Sequence, residues 1–123
     1  MKAIIILSII AIIESSNNPL AYNQKTQARG LYQITPICLK EWNNFHSSEH
    51  YTLNDLFNPQ VNEKIAKWYL TKRIPQMLRY YKKPVTIENI LICYNAGIKY
   101  VLKGEIPKET KEYIQKYKEG GVR

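Results

Sequence analysis

Cysteine is scarce in this chain of 123 residues: only Cys38 and Cys93 are present. Two cysteines build no disulfide framework, neither has a metal-ligand spacing, and their positions leave a pairing between them open. The two histidines, His46 and His50, lie elsewhere. Their i, i+4 spacing would suit a metal on a helix, but His46-Ser47-Ser48-Glu49-His50 reads as a loop. No metal and no cofactor are expected. A long hydrophobic run is missing too. Residues 3–13 are apolar except for Ser8, which is too short to span a bilayer, so stable membrane insertion is not expected. Repeats, linkers and low-complexity stretches are absent, and the length fits one domain with a real core. Acidic residues are few, 10 Asp and Glu against 18 Lys and Arg, for a formal net charge of +8. That excess implies an acidic partner: nucleic acid, anionic lipid, or a wall polymer rich in carboxylates and phosphates. The basic residues are spread along the chain and form no nucleic-acid-binding fingerprint, so nucleic acid is not expected.

What is there reads mostly as helix. A first helix is expected over residues 2–14. Met1-Lys2 followed by the apolar run also has the charge and length of a signal peptide. A buried core helix explains the same composition. A loop rich in Asn, Gln and Ser follows over 15–29. Thr35-Pro36 reads as an N-cap with proline at the first helical position, opening a helix to about Phe45. Asn58-Pro59 repeats that signal. Its helix carries Val61, Ile65, Trp68 and Tyr69 at helical spacing, then Ile74, with a kink or break at Pro75. Thr86 caps the next helix, which buries Ile87, Ile90, Leu91 and Tyr94 and leaves at Gly97. A short helix over 99–102 stops at Gly104, and a last one covers 107–118. Only Gly30-Leu31-Tyr32-Gln33-Ile34 and its flank have room for a short strand or two. The fold class is mainly α, α+β at most.

Glu14 stands out. It is the first carboxylate in the chain, directly after the apolar run and before the turn-forming Ser15-Ser16-Asn17-Asn18-Pro19. A carboxylate at the junction of a buried helix and a loop is partly desolvated, which raises its pKa. A carboxylic acid that keeps its proton near neutral pH can protonate a leaving-group oxygen. The alternative is a helix-terminal glutamate in water. Further on come Gly30-Leu31-Tyr32-Gln33-Ile34-Thr35-Pro36, then Cys93-Tyr94-Asn95-Ala96-Gly97, then Pro107-Lys108-Glu109-Thr110. In this order and at these separations the segments resemble the lytic transglycosylases with a lysozyme-like catalytic domain. That family carries Glu-Ser at the end of its first helix, Gly-Leu-Met-Gln-Ile, Ala-Tyr-Asn-Ala-Gly and Pro-x-Glu-Thr. Asn18-Pro19 is similar to the Asn-Pro that follows its Glu-Ser, and Asn58-Pro59 with Asn62 resembles the opening of its long middle helix. The resemblance covers about 9–117 and favours a core helix over a leader at the N-terminus, with the domain starting abruptly.

The resemblance implies a single domain of lysozyme type that cleaves peptidoglycan with one carboxylate. Glycosidases usually need two. After Glu14 the next acid is Glu41, on a separate expected helix, so the residues themselves suggest one. Glu14 would protonate the bridging oxygen and then, as carboxylate, take the proton of the sugar's C6 hydroxyl, giving a 1,6-anhydro product. Tyr94 matches the family tyrosine whose hydroxyl points at that carboxyl group, though a core tyrosine fits its apolar neighbours. Asn95 binds sugar or ties its helix end to the loop after Glu14. Gln33 matches the glutamine at the sugar's acetamido region, and an amide supplies both donor and acceptor there. Ser15 holds loop geometry beside the substrate. Glu109 is a binding residue, or simply a first-turn carboxylate favoured by the helix dipole. Tyr22, Tyr32 and Tyr100 are candidate sugar-stacking platforms. Two departures from the family pattern are Tyr32 in place of methionine and Gln27 in place of a glycine before Ala28. The expected partner is the peptidoglycan glycan strand, the expected state a monomer, and the expected location the cell envelope or exterior of a bacterium, or a phage. The competing readings are a goose-type lysozyme-like hydrolase and a non-catalytic wall-binding module.

Overall fold

The computed structural model describes residues 3–121, with side chains from Ile6 to Gly121. The expected helix start at Lys2 lies outside the described residues. The chain divides into two compact units, the first ending at Lys67 and the second starting at Trp68.

In the first unit, α1 (Ala3–Ser15) turns Leu7, Ile10 and Ala11 into the core. No helix among the described residues is long and apolar enough to cross a membrane. α1 ends where Ser16 and Asn17 both take left-handed backbone, at φ 55° and 62°. The Asn17 N–H reaches back to the Ala11 carbonyl at 3.3 Å. α2 (Pro36–Phe45) starts as its sequence requires: Thr35 Oγ1 accepts the Cys38 N–H at 3.2 Å and Pro36 fills the first turn. A single 3-10 turn, Asn54–Phe57, which the sequence reading did not anticipate, leads into α3 (Pro59–Trp68). There Asn58 Oδ1 accepts the Gln60 N–H at 2.9 Å.

Between α1 and α2 the chain forms no strand among the described residues. It makes two single antiparallel bridges, Tyr22 with Arg29 and Arg29 with Ile34. Besides its own backbone bonds, the segment is held by the side chain of Asn62, which is fully buried on α3. Its Oδ1 accepts the Tyr32 N–H at 2.9 Å, and its Nδ2 donates to the Arg29 and Leu56 carbonyls, each at 2.8 Å. Gly30 takes φ +82° against this amide. A Cβ there would collide with Asn62 Nδ2 and with the Leu56 carbonyl oxygen, so glycine is required by close approach as well as by backbone conformation. Gln27, where the resembled family has glycine, sits at φ 63°. An L side chain there costs roughly 1–2 kcal/mol.

In the second unit the helical pattern expected to kink or break at Pro75 is interrupted just before that residue. A π turn, Tyr69–Arg73, continues directly from α3 and passes directly into α4 (Ile74–Tyr80). The Ile74 N–H bonds to the Tyr69 carbonyl, five residues back. The wider turn absorbs the missing N–H and the bulky ring of Pro75, which then lies in the first turn of α4, where proline is tolerated. α5 (Ile87–Asn95) is capped by Thr86, whose Oγ1 accepts the Asn89 N–H at 3.1 Å. It buries Leu91, Ile92 and Cys93, whereas Ile87, Ile90 and Tyr94 are half-buried. Three consecutive buried positions mean that the helix is covered on more than one side. It packs on α4, on α6 (Ile98–Lys103) and on α7 (Lys108–Lys118). Gly97, at φ +107°, joins α5 to α6, and Gly104, at φ +72°, closes α6.

Replacing Asn62 by alanine leaves the Tyr32 N–H and the Arg29 and Leu56 carbonyls without their partner. At roughly 1–3 kcal/mol per buried unsatisfied group, the expected loss is about 3 kcal/mol or more in urea denaturation. A change below about 0.5 kcal/mol, the size of an ordinary surface substitution, would contradict this role.

Candidate active site

The segment 14–33 carries the first group of candidate residues. Glu14 lies in the last turn of α1 and is half-buried. Ser15 follows it and ties that turn to the next segment. Its hydroxyl lies 2.8 Å from the Leu31 carbonyl and 3.2 Å from the Ala11 carbonyl, and its oxygen accepts the Asn18 N–H at 3.2 Å. Gln33, at φ 52°, turns its amide inward, with Nε2 3.0 Å from the Gly30 carbonyl and 3.3 Å from the Ala21 carbonyl. Both partners are pure acceptors, so the NH₂ must face them and Oε1 remains an acceptor. Glu14, Ser15, the Gly30 turn and Gln33 are therefore joined through short backbone and side-chain bonds in one unit.

Tyr32 is a correction. Its ring is only 4% exposed, so it packs within the protein and does not form an open sugar platform. A bulky ring beside the buried Asn62 finds its place in the core, with the hydroxyl 3.4 Å from Glu63 Oε1. Burial first, then the charge and hydrogen bond of Glu63, push the hydroxyl up to about 12. Tyr22 is half-exposed, with the Arg29 guanidinium 5.0 Å from its ring centre. Tyr100 has Lys99 and Lys103 ammonium groups at 5.2 and 5.7 Å.

Two other acids of the first unit, Glu49 and Asp55, have structural tasks. Glu49 Oε2 receives Lys64 Nζ at 2.7 Å and the Tyr51 hydroxyl at 2.5 Å. The hydrogen bond from Lys64, followed by that from Tyr51, holds the Glu49 carboxyl below its usual range. Asp55 Oδ2 accepts the Thr52 N–H at 2.8 Å. His46 stacks on Trp42 at 3.6 Å and bonds through Nδ1 to the Trp42 carbonyl at 2.8 Å. A cleft of about 480 Å³ runs along α3, lined by Pro59, Gln60, Glu63, Lys64 and Lys67. Cys38 and Cys93 are buried free thiols. Burial raises both, Cys93 to about 11, so neither is a nucleophile near neutral pH.

The second group lies on the other unit. Tyr94 is half-buried, with its ring 6.1 Å from that of Tyr69 and tilted by 60°. Tyr69 opens the π turn, a feature frequent at functional sites. Asn95 Oδ1 accepts the buried Thr110 hydroxyl at 2.8 Å. This bond fastens the end of α5 to the first turn of α7, a third role beside the two weighed for Asn95. Glu109, the residue before, is exposed in that first turn, where a carboxylate meets the positive end of the helix dipole. Sequence reasoning missed Tyr69, Thr110 and the bonding role of Asn62. Thr110 stood in a quoted motif, and Pro75 within a helical pattern was the one signal for the π turn.

A mainly helical domain with a glutamate closing its first helix has the features of a lysozyme-like lytic transglycosylase domain. The sequence profile described as "Transglycosylase SLT domain" matches residues 4–117, nearly the whole chain and both units, and the chain belongs to this family. No curated protein matches the chain. The family's substrate is peptidoglycan, consistent with the cell envelope or the exterior of the cell.

Tyr32 generates a pH prediction. Its folded-state value of about 12 lies above the ordinary 10. Its contribution is complete below pH 10 and is lost as pH rises towards about 12, because the unfolded chain releases the proton first. The urea midpoint should therefore fall further between about pH 9 and about pH 11 in wild type than in Tyr32→Phe. Equal falls would show that the hydroxyl is not held by its surroundings.

Proposed function

We propose that the chain is an active lytic transglycosylase that cleaves the β-1,4 bond between N-acetylmuramic acid and N-acetylglucosamine in peptidoglycan, with Glu14 as acid and then as base. The observation that supports this best is the family match together with Glu14 in the last turn of α1, fixed by the Ser15 bonds to Leu31 and Ala11. Glu14 is half-buried in that turn, and the first step requires it to carry a proton. The protonated form suits a general acid.

In the first step the Glu14 proton goes to the bridging oxygen. The C1–O bond of the muramic acid breaks while the neighbouring acetamido oxygen bonds to C1, so no enzyme nucleophile is needed. In the second step the Glu14 carboxylate takes the proton of the C6 hydroxyl, O6 bonds to C1, and the acetamido bond opens. The product is a 1,6-anhydro sugar, and Glu14 is again protonated. The internal hydroxyl has an entropic advantage over external water. Glu49, held ionised by Lys64 and Tyr51, is unsuited to the acid role. Gln33 is proposed to present Oε1 to the acetamido N–H, since its NH₂ is engaged by Gly30 and Ala21. Tyr94, Asn95 and Glu109 keep the roles that the family resemblance implies for them.

Glu14→Gln is nearly isosteric and cannot transfer the proton. General acid–base catalysis alone contributes typically ~100- to 10,000-fold. The variant should show an unchanged circular dichroism spectrum and a loss of that size or larger in release of muropeptides from purified peptidoglycan. Activity within a few-fold of wild type would sink the assignment.

A further inference from the structure

The net charge is divided unequally between the two units. Residues up to Lys67 hold six Lys and Arg against five Asp and Glu, whereas residues from Trp68 on hold twelve against five. In the second unit no acid precedes Glu88, while Lys72, Arg73, Arg79, Lys82 and Lys83 do. α4 buries Ile74, Pro75 and Leu78 and leaves Arg79 and Tyr80 outside. Tyr80 is 78% exposed, Tyr81 46% and Val85 41%. The two rings meet edge to face at 5.0 Å and 89°. Aromatic side chains, an aliphatic residue, two exposed cations and the half-buried Lys83 thus share one turn.

The backbone of that turn adds a second observation. α4 ends in a Schellman arrangement, with the Lys83 N–H 2.8 Å from the Leu78 carbonyl and the Lys82 N–H 3.0 Å from the Arg79 carbonyl. The left-handed position in this motif is usually glycine. Here Lys82 occupies it at φ 58°, a conformation that costs a side chain steric energy. A cation near a helix C-terminus is favourable in itself, which accounts for one or two of the charges. It accounts neither for two tyrosines in water nor for lysine where glycine is less strained.

We propose that the turn from Arg79 to Val85 docks this protein on an anionic phospholipid surface. Tyrosine suits the headgroup level of a bilayer, with its ring towards the acyl chains and its hydroxyl towards water. Arg79, Lys82 and Lys83 would face lipid phosphates while their stems cover apolar surface. Each basic residue near such a surface is worth about fivefold in binding. A soluble polyanion would require the cations but not the exposed rings, so the tyrosines favour lipid. The acid nearest in sequence is Glu88, in the first turn of α5. Docking of this kind is peripheral and needs no spanning helix.

The full chain is sedimented with phosphatidylcholine vesicles, with and without roughly one-third phosphatidylglycerol, at about 0.1 M salt. Binding is expected only with phosphatidylglycerol. Arg79→Gln with Lys82→Gln and Lys83→Gln should weaken it on the order of 100-fold. Tyr80→Ser with Tyr81→Ser should weaken it at least ~10-fold. Lys82→Gly should weaken it about fivefold while leaving the melting temperature unchanged or higher, which separates lost binding from lost folding. All variants should digest lipid-free peptidoglycan as wild type does. No binding, equal binding to phosphatidylcholine alone, or wild-type binding by the tyrosine variant would overturn the proposal. If soluble polyphosphate also displaces the tyrosine variant from vesicles, the turn is a polyanion site instead.

Discussion

The side chain of Asn62 is the interaction on which the first unit depends. One buried amide uses both of its polar atoms to hold three backbone groups, from Arg29, Tyr32 and Leu56. Without regular strands the stretch from Ser16 to Thr35 pairs its backbone through turns and two single bridges, and the buried groups those bonds leave over must find partners elsewhere. Asn62 supplies them, and Gly30 leaves the space that the amide needs. From there the linkage runs outward. The Gly30 turn holds Leu31, whose carbonyl bonds the Ser15 hydroxyl, and Ser15 fixes the turn of α1 that carries Glu14. A stability device on α3 thus sets the surroundings of the proposed catalytic acid.

The second unit solves a similar problem with different parts. Its α5 ends at Asn95, and the buried Thr110 hydroxyl meets that side chain from α7. The π turn before Pro75 accommodates the proline, and its first residue, Tyr69, lies beside Tyr94. In both units a short polar side chain in a family motif serves to fasten one element to another. Motif residues such as Asn62 and Thr110 are thus explained by packing.

Much of the helical plan was legible because its signals are local. Thr35-Pro36, Asn58-Pro59 and Thr86 each mark a helix start with a side-chain oxygen that the structure uses as a cap or turn acceptor. Gly97 and Gly104 mark two junctions by positive φ. The candidate site was legible as a set of residue identities, through segments in a family order. Its bonding was not legible, because Ser15 to Leu31, Tyr32 to Asn62 and Asn95 to Thr110 join positions 15 to 30 residues apart. Burial of Tyr32 was missed for the same reason: aromatic residues are intermediate in exposure, and only the tertiary neighbourhood decides. The π turn was missed because a proline within a helical pattern predicts disruption without saying how it is relieved.

The central claim is that one carboxylate, Glu14, serves both proton transfers and that the sugar's own hydroxyl closes the ring. Digestion of purified peptidoglycan in ¹⁸O-labelled water, followed by mass analysis of the soluble muropeptides, tests it most directly. The account predicts 1,6-anhydro ends, about one water (~18 Da) lighter than hydrolysis products by the stoichiometry of the internal route, with no ¹⁸O at C1. Reducing ends carrying ¹⁸O would contradict it and show that water is the nucleophile.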